Sequence, residues 1–152
     1  MALVGVVIGS NTDTDLIQPA MDMLKQLGID YEVSIISTHR NPEKLREYGL
    51  KVEERGFEVI IAAAGGAAHL PGILASWTML PVIGIPLPTT ELRGIDALLS
   101  IAQMPAGVPV ACVGIGTSGA KNAALLAAQI LGIKHEEIKE AYQRYKAELA
   151  EK

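Results

Sequence analysis

Five short runs rich in Val, Ile and Ala, at residues 2 to 8, 31 to 36, 57 to 63, 81 to 85 and 108 to 114, punctuate this chain. Each is followed by a Gly, Ser or Pro break and then a longer helix-like segment. Runs of this length suit strands buried on both faces, and their alternation with helices is a βαβ rhythm, which implies parallel strands joined by crossovers. The expected fold is therefore α/β, a three-layer flavodoxin-like parallel sheet with a C-terminal extra helix. No linker, repeat or charge run divides the 152 residues, so 1–152 reads as one domain. Ligands of such sheets bind beyond the carboxyl ends of the strands, and the site is sought in the loops there.

The helices have readable starts and faces. Asn41 followed by Pro42 is an N-cap and first-position pair, and Pro71 is placed to open a helix after His69 and Leu70. Leu16, Ala20, Met23, Leu24 and Leu27 form one stripe in the first helix, with Pro19 expected near its first turn or at a kink. In the last helix the stripe is Ile138, Ala141, Tyr142, Tyr145 and Leu149. Residues 120 to 131, AKNAALLAAQIL, are apolar almost all round, which predicts a buried helix, between subunits if the monomer cannot cover it.

Composition narrows the partners. The formal net charge of −4 supplies no basic field for a nucleic-acid backbone. Residues 59 to 90 carry no Asp, Glu, Lys or Arg, but Gly65, Gly66, Pro71, Gly72, Pro81, Gly84 and Pro86 interrupt the stretch, so a membrane span is not expected. No export signal is recognisable, and a cytoplasmic protein is expected. Hydrophobic residues at 49% against 20% charged leave more apolar surface than a small domain usually hides, which points to a homo-oligomer, the alternative being a parallel sheet buried on both faces.

Three strand ends carry unusual loops: Gly9-Ser10-Asn11-Thr12-Asp13, Ser37-Thr38-His39-Arg40 and Ala64-Gly65-Gly66-Ala67-Ala68-His69. A 2-1-3 strand order makes them neighbours. Together they offer small residues, hydroxyls, helix N-terminal N–H groups and one guanidinium, the parts of a phosphate cradle. Asp13 either caps the first helix or accepts hydrogen bonds from ribose hydroxyls. Arg40, beside His39, is assigned to the ligand.

His39 is the candidate for proton transfer, because an imidazole exchanges protons near neutral pH. His69 is either a satisfied buried histidine or a lining group. His135, among charges near the last helix, reads as solvated. The His and Cys spacings give no metal site, and Cys112 reads as strand packing. Gly114, Gly116 and Gly119 fit GxGxxG with Glu136 and Glu137 downstream. No strand follows them, however, so the dinucleotide fingerprint lacks its βαβ context.

At these loops the chain resembles the 5-(carboxyamino)imidazole ribonucleotide mutase family of purine biosynthesis. The resemblance rests on the first two loops, Gly9 to Asp13 and Ser37 to Pro42, on GGAAHLPG at 65 to 72 and LPVIGIP at 80 to 86, and on LLSIAQMP at 98 to 105 and NAALLAAQIL at 122 to 131. It implies that Ser10, Ser37, Arg40, Ala64 and Gly65 hold phosphate and that Asp13 holds ribose. His39 would serve the imidazole, with His69 and Leu70 lining the base region. It further implies a small ribonucleotide substrate, an octamer, and neither a metal nor an organic cofactor. Members commonly have Ala at Thr38, Gly at Ala63, an aromatic at Thr14 and Ser at Ala97, departures that leave the polar atoms of the site in place. The competing readings are a carbon dioxide-dependent aminoimidazole ribonucleotide carboxylase and, outside enzymes, a phospho-ligand binding module on the same fold.

Overall fold

A computed structural model of the chain describes residues 3–152. Its elements follow in the order β1 (Val4–Ile8), α1 (Thr14–Gln26), β2 (Tyr31–Ile35), α2 (Pro42–Lys51), β3 (Val59–Gly65), α3 (His69–Trp77), β4 (Val82–Leu87), α4 (Ile95–Ala102), β5 (Ala111–Cys112), α5 (Gly116–Leu131) and α6 (Glu136–Ala150). The strands form one all-parallel sheet in the order β2-β1-β3-β4-β5, as the expected flavodoxin-like arrangement requires. Residue 2 of the first predicted strand lies outside the described residues.

Alternation along the central strands builds two cores. Val4, Val6 and Ile8 of β1 and Val59, Ile61 and Ala63 of β3 pack with α1, α5 and α6, whereas Val7, Ile60 and Ala62 pack with α2 and α3. The chain therefore leaves β1 toward one face and β3 toward the other. That reversal opens a crevice between the two strands at their carboxyl ends.

Several boundaries depart from the sequence reading. β3 continues through Ala64 and Gly65, both expected in a loop. β5 keeps only two paired residues of the run 108 to 114, because Pro109 lacks a ladder donor and Gly107 (φ +107°) and Gly114 (φ +127°) leave the extended conformation. In α1 the buried face is Ile17, Ala20, Met21, Met23 and Leu24, and Pro19 falls in the second turn. Leu16 is 36% exposed, one residue off the buried face. α3 starts at His69, so Pro71 is its third residue rather than its opener, still within the turn that needs no intrahelical donors. Leu149 is 48% exposed, so the stripe of α6 loses its cover at its last turn.

Two expectations are corrected by packing. The apolar helix, α5, buries Ala120, Ala123, Ala124, Leu125, Ala127, Ala128 and Leu131 within the chain itself, against α1, β3, β4 and α6, so it needs no second subunit to hide it. His135 is not a solvated charge: it is partly buried, and its Nε2 lies 2.8 Å from Glu58 Oε2. Lys134 donates from Nζ to the other carboxylate oxygen at 2.7 Å. Burial alone would raise the Glu58 carboxyl, but these two partners together hold it below its usual range.

Candidate active site

Register brings four loops onto one crest. Ile8 is level with Ile35 and Ala63, and Gly65 with Leu87. β3 thus outruns β1 by two residues, which sets the backbone of Ala64 and Gly65 level with the turn at Gly9 and Ser10. A ligand lying in the crevice meets strand backbone on one side and loop hydroxyls on the other.

The first loop uses Ser10 as its cap. Its Oγ accepts from the Thr12 N–H at 3.3 Å and lies 3.0 Å from Thr12 Oγ1, while the Asp13 N–H donates to the Ser10 carbonyl at 3.1 Å. Asp13 itself makes no side-chain cap bond. Its carboxylate is released from the structural role open to it, and burial pushes its pKa up, as for a group whose ionised form has lost water without gaining a partner.

In the second loop Asn41 accepts from the Lys44 N–H at 3.3 Å and starts α2 with Pro42 behind it, as expected. Ser37 Oγ takes two donors from Arg40, its backbone N–H at 3.2 Å and its Nε at 3.3 Å. The guanidinium is held at its root, with its two terminal nitrogens left for a ligand. Those are the atoms that form a fork with phosphate oxygens.

The third loop turns sharply from β3 into α3. Gly66 (φ +59°) and Ala68 (φ +47°) both take left-handed backbone, and the Ala68 N–H closes the turn onto the Gly65 carbonyl at 3.0 Å. At Ala68 that conformation costs roughly 1 kcal/mol. It places His69 at the start of α3, where its Nδ1 lies 2.7 Å from Nε2 of His39 with the rings edge to face at 79°. Of the two readings open for His69, the buried histidine is overturned: it is an exposed partner of His39, while Leu70 beside it is buried.

The fourth loop, after β4, went unread as a site in the sequence. A Cβ on Gly65 would strike the Thr89 hydroxyl, and one on Gly66 would touch Thr90 Cγ2 at 3.7 Å. The Thr89-Thr90 pair was the available signal, since a 2-1-3-4 order places a fourth strand end on the same crest.

The glycine motif lies elsewhere and packs. A Cβ on Gly119 would strike the Gly114 carbonyl, so these glycines bring the end of β5 against α5, and α6 rather than a strand follows. Cys112 is half-buried, burial pushes its thiol pKa up, and it packs against Ala68, Ala97 and Ile101. Among the described residues no three His, Cys, Asp or Glu side chains gather as metal ligands, and no helix is long and apolar enough to cross a membrane.

The crest gathers hydroxyls, a guanidinium and a histidine pair, and comparison with known proteins gives the family of the chain. The chain is 57% identical over 150 residues to the N5-carboxyaminoimidazole ribonucleotide mutase of Pyrococcus horikoshii, covering 99% of this chain and 84% of that protein. It is 55% identical to the mutase of Pseudomonas aeruginosa, covering 99% and 92%, and 54% identical to that of Thermotoga maritima, covering 100% and 90%. The crystal structure of Treponema denticola PurE superposes with a TM-score of 0.86 at 28% identity, covering 99% of this chain and 93% of that one. The family model for AIR carboxylase matches residues 3–152. The chain belongs to the AIR carboxylase family.

Proposed function

We propose that the protein is a mutase interconverting 5-(carboxyamino)imidazole ribonucleotide and 4-carboxy-5-aminoimidazole ribonucleotide, an isomerase step of de novo purine (IMP) biosynthesis, with residues 1–152 acting as one domain. The observation that carries this reading is the 54 to 57% identity to proteins named as that mutase over 99 to 100% of the chain.

In this reading Ser10, Ser37, Arg40, Ala64 and Gly65 hold the phosphate, and Asp13 accepts from ribose hydroxyls. His69 and Leu70 line the imidazole, and His39 is the catalytic residue. The bond from the exocyclic nitrogen to its carboxylate breaks, releasing carbon dioxide and leaving the electron pair on nitrogen, which takes a proton. Ring carbon 4 then attacks the retained carbon dioxide, and the proton on that carbon leaves to restore the aromatic ring. One proton is given and one recovered, so a single imidazole suffices. With Nε2 of His39 bonded to His69, Nδ1 is the ring nitrogen left for the substrate.

Retention of carbon dioxide requires enclosure, yet His39, Arg40 and His69 are exposed on the single chain. A homo-oligomer supplies the missing cover. Leu92, Ile95 and Leu99, 62%, 55% and 54% exposed beside the fourth loop, are an apolar flank suited to a second copy. The octamer number and the lack of need for a metal or organic cofactor follow the family resemblance, and a cytoplasmic location fits an enzyme of purine biosynthesis.

The family description favours one rival, a carboxylase that adds free carbon dioxide to aminoimidazole ribonucleotide. Product absorbance followed separately from each substrate decides. Turnover is expected from the carboxyamino substrate, whereas faster turnover from aminoimidazole ribonucleotide with bicarbonate means a carboxylase. Binding without turnover of either means a phospho-ligand module.

A further inference from the structure

We infer that Thr89 is a further substrate-binding residue, its hydroxyl donating a hydrogen bond to the phosphate seated at Gly65. The inference rests on the functional reading above for the identity of the ligand.

The two adjacent threonines after β4 differ in one respect. Thr90 spends its hydroxyl inside the loop: Oγ1 donates to Asp96 Oδ2 at 2.6 Å and accepts from the Leu92 N–H at 3.2 Å. Those bonds fix the segment between β4 and α4, including the left-handed pair Arg93 (φ +54°) and Gly94 (φ +90°). Thr89 has its backbone N–H bonded to the Leu87 carbonyl at 2.9 Å, while its exposed hydroxyl has no partner among the described residues. A rigid loop therefore presents one unspent hydroxyl.

Where it presents that hydroxyl is specific. Gly65 pairs with Leu87 across β3 and β4, and Thr89 Oγ1 occupies the space a side chain at Gly65 would need. On the opposite flank of β3, the end of β1 brings Ser10 level with Gly65. β1 and β4 are two strand spacings apart, roughly 10 Å, a gap that a tetrahedral anion with one hydrogen bond on each side bridges. Gly at position 65 leaves the peptide bare between the two hydroxyls.

The test measures binding on the full chain in its native assembly, using 4-carboxy-5-aminoimidazole ribonucleotide and its dephosphorylated nucleoside. Thr89→Val is expected to weaken the nucleotide by about tenfold or more and to leave the nucleoside unchanged, while Thr89→Ser restores the nucleotide. Thr89→Ala reads the same loss without a β-branched replacement. Thr90→Val is expected to lower the melting temperature without changing the ratio of the two affinities. Unchanged nucleotide affinity in Thr89→Val and Thr89→Ala, or equal loss for both ligands, overturns the inference and leaves the mutase reading untouched. A parent protein that prefers the nucleotide and loses that preference in Thr89→Val, but turns over neither substrate, overturns the mutase reading alone.

Discussion

His39 Nε2 and His69 Nδ1 lie 2.7 Å apart, close enough to share one proton and too close for each to carry its own. One ring donates and the other accepts, so the bond couples the tautomers of two side chains thirty residues apart in sequence. His39→Asn is expected to retain fold and ligand affinity while lowering kcat by about 10² to 10⁴. His69→Asn lowers kcat less, and adds little in a His39→Asn background because the shared bond is already gone. Full activity in folded His39→Asn, or strictly additive losses in the double variant, contradicts this coupling.

Arg40 is anchored through Nε to Ser37 and leaves its fork to the ligand. Arg40→Ala is expected to weaken phosphorylated ligands by about 1.5 to 3 kcal/mol, a factor of roughly ten to a hundred. Arg40→Lys recovers only part of that, having neither the fork nor the Nε donor. Titration with phosphorylated and dephosphorylated ligands checks it. An unchanged preference for the phosphorylated form would remove Arg40 from the cradle.

At the other end of the sheet, Glu58 is tied to Lys134 and His135. Its folded pKa is depressed below the ordinary 4.5, so its contribution is present above that value and fades as pH falls through the folded pKa. Glu58→Gln is expected to cost about 1 kcal/mol at neutral pH, since the Lys134 partner is exposed, and to lower Tm by about 2 to 4 °C. Thermal melts should show the gap between parent and variant closing at pH below 4.5. A gap that persists unchanged in acid contradicts the assignment.

Gly119→Ala tests the packing role of the glycine motif. Its new methyl meets backbone at Gly114 rather than a side chain that can turn away, and overpacking of this kind costs about 1 to 3 kcal/mol. The expected result is a lower melting temperature with no change in dinucleotide affinity, which should be absent in the parent too. Saturable dinucleotide binding lost on this substitution would reinstate the fingerprint.

The strands and the three loops were legible because apolar runs and Gly/Ser breaks encode them locally, and the strand order followed only from the flavodoxin-like class that the βαβ rhythm implied. What escaped depends on tertiary placement. Glu58 lies 77 residues before His135, and nothing near either position signals the bond. The extension of β3 through Ala64 and Gly65 follows from pairing with β4, which overrides a local sequence that reads as a turn. Asp13 was ambiguous between capping and binding until its side chain proved to make no cap bond at the start of α1. The site residues came largely from motifs, whereas the His39–His69 bond required the fold.

Whether the protein moves its substrate's own carboxylate is decided by isotope retention. The carboxyamino group of the substrate is labelled with carbon-13 and turned over in a large excess of unlabelled bicarbonate, and the product carboxylate is analysed by mass. A mutase that encloses its carbon dioxide delivers the label to the product undiluted. Dilution to the isotopic level of the bicarbonate pool would contradict the account and make the protein a carboxylase.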